Sequence, residues 1–178
     1  INKSGAQEPE GQERLTGTVT YNGISVRNGV QESAYFDGSS STEVQLAKGP
    51  YEGSDREIIA AGSTITVTFD EPKAVGSFRL VQGASAAADV FSNADVEYQI
   101  DGSEDWVKAG TLTNAGDQTV DFGSVSNVKA VRILNRAATA GWVRIAEIEI
   151  LAAAEGDIQP IEYNIIRTDR WTVYGNNA

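Results

Sequence analysis

Two runs near the end of the chain, VRIL at 131–134 and VRIAEIEIL at 143–151, alternate apolar and polar residues, with the polar stretch NRAATAG between them. A period of two predicts half-buried strands. The second run is out of phase with itself. Val143 and Ile145 keep one period, Ile148 and Ile150 keep another, and the slip falls at Ala146 and Glu147. An extra residue at that point is what a β-bulge writes into a strand. Trp142 stands at the mouth of the loop, just after Gly141. A core tryptophan there would have no strand neighbours to pack against.

The same alternation marks the chain upstream. LTGTVTYNGISVRNG is rich in Thr and Val with Asn-Gly punctuation, which predicts a strand and a short turn. VQESAYFDGSSSTEVQL carries an aromatic pair into a polar turn. In GSTITVTFDEP, Ile65, Val67 and Phe69 alternate with Thr, and Pro72 is expected to stop the strand. VGSFRLVQG reads as a further short strand closed by Gly83, and TVDFGSVSNVKAVRILN as a strand and turn. ADVEYQIDGSEDWVKAG reads as a hairpin about its Asp-Gly turn. About eight short strands at this spacing predict an antiparallel sandwich. Only the AAAEG tail suits a short helix. Residues 1–14 read as a polar linker and 15–154 as the domain. Residues 155–178 read as an added strand pair or the start of a further module.

Composition narrows the chemistry. The 178 residues carry a formal charge of −11 with a pI near 4.4, which argues against nucleic acid and anionic membrane surfaces as partners. There is no His and no Cys, so Ser-His-Asp and Cys-His catalysis, thiolate or imidazole metal sites and disulfides are all excluded. A metal would have to be a hard cation held by oxygen, for which calcium is the natural candidate. No apolar run approaches the roughly 20 residues of a membrane span, so insertion into a bilayer is not expected. The chain opens on Ile1 without a signal peptide, and reads as a piece of something longer.

The order FDGSSSTEV, TITVTFDEPKAVGSFRL, DVEYQIDGSEDWVKAG, VKAVRILN, WVRIAEIEIL resembles the discoidin or coagulation-factor 5/8 type C domain. Within that group it looks like the family 32 carbohydrate-binding modules of secreted bacterial glycoside hydrolases. The resemblance covers about Leu15 to Ala154, and its most specific parts are the DGxxxT run and the closing AEIEI. DVFSNADVEYQIDG with the Trp142 loop is similar to modules found on hexosaminidases and hyaluronidase-like enzymes. The fold so implied is an eight-stranded antiparallel jelly-roll β-sandwich with a structural calcium. Carried over residue by residue, the ion's ligands are Asp37, Thr42, Ala146 and Glu147, and the small oxygen-bearing Ser39 and Ser41 stand around the turn. Family members often have Asp or Asn where those two serines stand, which weakens coordination there. Without an ion, FDGSSST is a Ser-rich turn whose Asp caps its own backbone.

The resemblance also implies a non-catalytic, secreted or cell-surface module that binds the terminal sugar of host or mucin-type glycans. It would thereby tether a covalently attached glycoside hydrolase. A pyranose needs a flat apolar surface and a few planar polar groups. Trp142 is the best platform and Phe91 a second wall, with Asn93, Asn135, Asp89, Glu43 and Arg136 as hydrogen-bonding partners in adjacent loops. Each has a plainer reading: Phe91 suits the plugged end of a core, Asp89 and Asn93 suit turns, and Arg136 suits a solvated loop. Without His the chain lacks a residue that many galactose binders use, which favours N-acetylglucosamine or another N-acetylhexosamine. Two rivals stand beside this reading. One is a protein-binding or spacer module of the same fold. The other is a glycosidase, which needs two carboxylates facing one another across a cleft and for which the acidic residues give no distinctive spacing.

Overall fold

The computed structural model describes residues 11–48, 58–138 and 141–154. Among these residues nine strands follow in order: β1 (Arg14–Leu15), β2 (Thr18–Asn22), β3 (Ser25–Val26), β4 (Val44–Ala47), β5 (Thr64–Gln82), β6 (Asn93–Ile100), β7 (Trp106–Thr113), β8 (Asp117–Asn135) and β9 (Val143–Ala152). A 3-10 turn, Glu32–Phe36, precedes β4. All pairings are antiparallel and form one hydrogen-bonded network in the order β3-β4-β9-β5-β8-β6-β7, with β1 on β9 and β2 on β5.

Two layers arise from one network because β5 and β8 each serve both. The first part of β5 pairs with β2 and with the end of β8, through registers such as Thr20↔Thr66 and Val67↔Val131. Its last part pairs with β9 and the start of β8, through Phe78↔Ile150 and Phe78↔Val120. Register shifts between Thr68 and Ser77 mark the bend. Pro72 lies inside this span and takes no partner in the β5–β8 ladder, as a residue without an N–H must. It bends β5 rather than ending it, so the two strands expected on either side of Pro72 are one. Opposite, β8 turns where Gly123 and Asn127 take positive φ of 74° and 60°, conformations that glycine and asparagine tolerate best.

The alternating residues meet between the layers. Ile65, Val67, Phe69, Val131 and Ile133 face Phe78, Leu80, Ile145, Ile148 and Ile150 in one buried cluster. The phase slip in the last strand is a bulge. Val81 pairs with Glu147 and Gln82 with Ile145, so Ala146 is the extra residue, and Ile145, Ala146, Glu147 and Ile148 are all buried. The hairpin forms as β6 and β7, with Gly102 at φ 80° in its turn. Two boundaries move. Arg14 belongs to β1, where it pairs with Leu151, rather than to a linker, and β9 runs through Ala152 into the tail expected to be helical. The assignment for 155–178 lies outside the described residues.

Candidate functional site

The bulge brings one predicted set together. β9 carries Glu147 to the corner where the 3-10 turn delivers Asp37 and Gly38. Glu147 Oε2 accepts a hydrogen bond from the Gly38 N–H at 3.0 Å, across 109 positions of sequence. Its Oε1 lies 3.3 Å from Nη1 of Arg14, whose Nη2 is 2.5 Å from Glu149. Asp37 Oδ1 accepts the Ser39 N–H at 2.7 Å, and the Ser39 and Ser41 hydroxyls bond each other at 2.7 Å. Thr42 is half-buried just ahead of β4, whose Val44 pairs with Ile145. Burial pushes the Glu147 carboxyl above its usual range, while the Gly38 N–H and Arg14 pull the other way.

Glu147 and the Asp37–Gly38 turn meet at this corner, and the Glu147 carboxylate as it stands does not suit calcium. The ion takes six to eight oxygens. Here both Glu147 oxygens face hydrogen-bond donors, and one donor is itself a cation. Arg14 was not foreseen, because nothing in a lone arginine 133 positions upstream marks it as a partner of Glu147. The charge row continues outward. Arg79 lies 4.0 Å from Glu149 and grips Asp117 through two hydrogen bonds of 2.8 Å. A cavity of about 380 Å³ opens between this pair and Gly38.

The sugar-binding candidates separate into three groups. Trp142, Asp89 and Glu43 share one face of the second layer. Trp142 is half-buried ahead of β9, and the Arg27 guanidinium lies 5.3 Å from its ring centre, a cation–π distance. On the same face Arg144 pairs with Gln45 across β4–β9. Arg144 holds Asp89 through Nε–Oδ2 at 2.9 Å and reaches the Ser85 hydroxyl at 3.2 Å; Ser85 in turn donates to Glu43. Arg27, Ser85 and Arg144 are the members that sequence reasoning missed. Arg144 was readable as an outward position in VRIAE, but its partner on the 83–92 loop was not.

Arg136 and Asn93 form a second group. The Arg136 N–H donates to the Asn93 carbonyl at 2.9 Å, and its side chain pairs with Asp95 at 3.4 Å beside Lys108. Asn93 is exposed at the start of β6. The third group corrects the expectation of contact with ligand. Phe91 is fully buried in the core and presents no wall to solvent. Its backbone N–H and C=O both bond the side chain of Gln82, which also reaches the carbonyls of Thr113 and Ala115. Asn135 is 1% exposed and spends its amide on the carbonyls of Ile59 and Ala60. Gln82 and Asn135 thus tie loops to the end of the sandwich by satisfying backbone groups there.

The fold is shared with known modules. Chitosan-binding module 1 of the chitosanase/glucanase from Paenibacillus sp. IK-5 superposes with a TM-score of 0.57 at 23% identity, over 78% of this chain and 96% of that one. CpGH89CBM32-5 from Clostridium perfringens, in complex with GalNAc-β-1,3-galactose, superposes at 0.56 with 17% identity, over 76% and 94%. A GH29 fucosidase of Ruminococcus gnavus in complex with fucose matches at 0.56 and 14% identity, over 80% of this chain and 26% of its own length. At these identities the likeness establishes the discoidin-like β-sandwich. No protein-family model matches the chain, and no curated protein matches it.

Proposed function

We propose that the chain is a non-catalytic carbohydrate-binding module that holds a terminal sugar against Trp142. The observation that carries this reading is the half-buried indole two residues ahead of Arg144, the strand residue on which Asp89 and Ser85 of the 83–92 loop converge, with Glu43 bonded to Ser85. An aromatic face with planar donors and acceptors at its edge suits the C–H face and hydroxyls of a pyranose. It stands on a fold used by modules named for chitosan and for a GalNAc-containing disaccharide. Those names support an N-acetylhexosamine or related amino sugar as ligand, as does the absence of His. Little surface is buried in so shallow a contact, so an affinity of about 0.1–1 mM is expected, about 4–5.5 kcal/mol.

Weak binding of this order serves tethering. A module held next to a glycoside hydrolase raises local substrate concentration, and a glycan with several termini adds avidity. The fucosidase that contains the same fold as about a quarter of its length supports such an arrangement. Host or mucin-type glycans outside the cell are the proposed targets. Asp89, Glu97, Asp117 and Glu147 lie on separate parts of the sandwich and each pairs with an arginine, which offers little to the glycosidase reading.

One observation favours a second reading. Arg27 stacks on the Trp142 ring, which is how a structural surface tryptophan is often covered, and a spacer or protein-binding module would keep that contact. Calorimetric titration of the chain with N-acetylglucosamine, GalNAc, galactose and chitosan oligomers separates the two. Saturable binding lost in Trp142→Ala and retained in Trp106→Ala is the expected result. No heat with any sugar gives the spacer reading its place.

A further inference from the structure

We propose that the Arg14 guanidinium is the resident cation of the corner where Asp37, Gly38 and Glu147 meet, so that the two ends of the domain are clasped without calcium. The inference is independent of the sugar-binding reading. Three observations carry it. First, one planar group bridges two carboxylates of the last strand: Nη1 lies 3.3 Å from Glu147 and Nη2 2.5 Å from Glu149. A guanidinium fork suits this task, because it holds two N–H groups in a fixed plane where an ammonium is a single point charge.

Second, the neighbouring groups that the turn supplies are engaged in hydrogen bonds with Glu147 or with one another. The Gly38 backbone presents its N–H, not its carbonyl, to Glu147. Ser39 and Ser41 satisfy one another, and Asp37 accepts from its own turn. Gly38 takes φ 74°, which favours glycine, and a Cβ there would lie 3.3 Å from Arg14 Nη1, so the turn and the guanidinium are close neighbours. Third, Glu147 is 4% exposed, and a buried carboxylate requires a positive partner. Arg14 supplies it from β1, which also pairs with β9 at Leu151 and Ile150. The same strand pair therefore delivers both the backbone ladder and the charge that closes it. Calcium at this corner would have to displace the guanidinium or sit against it.

Thermal unfolding of the full chain with about 10 mM calcium and with EDTA tests this, at a concentration above that at which extracellular modules usually hold the ion. The wild-type chain is expected to melt at the same temperature in both, and terbium luminescence is expected to show no stoichiometric site. Arg14→Gln is expected to lower the melting temperature by about 4 °C or more, and Arg14→Lys by less. EDTA lowering the wild-type melting temperature, or a stoichiometric terbium site that calcium competes away, would overturn the proposal. So would an Arg14→Gln chain that melts with the wild type. Should Arg14→Gln fail to fold, the wild-type comparison and Arg14→Lys decide the matter by themselves.

Discussion

The Asp37–Glu147 corner and the Trp142 face are both polar clusters built on β9, a few residues apart, and they behave oppositely. At the corner the described hydrogen-bonding groups serve one another: Arg14 with two glutamates, Gly38 with Glu147, Ser39 with Ser41. On the Trp142 face a large, partly buried ring precedes β9, and charges on the 83–92 loop and the approach to β4 converge on Arg144 two residues on. A buried polar group must find its partner inside the protein, so the buried Glu147 carboxylate fastens Arg14 and the Gly38 turn to β9. An exposed one can exchange a protein partner or water for a ligand at little cost.

The comparison can be tested from its strongest consequence downward. Phe91 belongs with the interior rather than with the ligand face, so Phe91→Ala should cost about 3–5 kcal/mol of stability in urea unfolding. A loss under about 1 kcal/mol would return Phe91 to the surface. Trp142→Ala should act the other way, reducing sugar affinity at least tenfold, about 1.4 kcal/mol or more, with a small change in melting temperature. Loss of the fold instead would make Trp142 part of the fastening.

Alkaline titration probes the interior beneath β2 and β5. Tyr21 and Tyr35 share a hydroxyl contact at 3.1 Å, and burial raises the phenol of Tyr21 to about 12 and that of Tyr35 further. A folded-state value above the unfolded one keeps its stabilising effect below the unfolded phenol's range. That effect is lost as pH rises through the folded value. Unfolding free energy should therefore fall between about pH 10 and 12, and Tyr35→Phe should flatten that decline in a pH series of denaturant melts. The smallest effect is expected at the outer end of the charge row. Arg79 holds the Asp117 carboxyl below its usual range, so its contribution is present at neutral pH and fades as pH falls through that lowered value. Both side chains are well exposed, 37% and 55%, and Asp117→Asn should cost no more than about 1 kcal/mol, less at high salt.

Legibility in the sequence followed burial by strands. The alternation in TITVTF and VRIL named inward residues correctly because a strand in a two-layer sandwich has one wet face and one dry one. The slip at Ala146 located the bulge for the same reason. Pro72 misled because a missing N–H rules out a ladder bond and not a bend, and β5 had a corner to turn there. In the loops the periodic signal disappears. Asp89 and Phe91 are two residues apart; one ends on the Trp142 face and the other at 0% exposure in the core. No spacing rule separates them, and Gln82, whose buried amide anchors Phe91, reads in sequence as an ordinary strand end.

The chain by itself therefore determined the class of fold, the direction of its strand faces, the place of the bulge and the absence of imidazole and thiolate chemistry. These depend on local period and on composition. The tertiary structure alone decided which polar residues are fastenings and which stand at the surface, and it set Arg14 opposite a glutamate 133 positions away. Such pairings are fixed by the crossing of β1, the 3-10 turn and β9 in space. Electrostatic partnership depends on that distance and on exclusion of water, and neither is written in the order of residues.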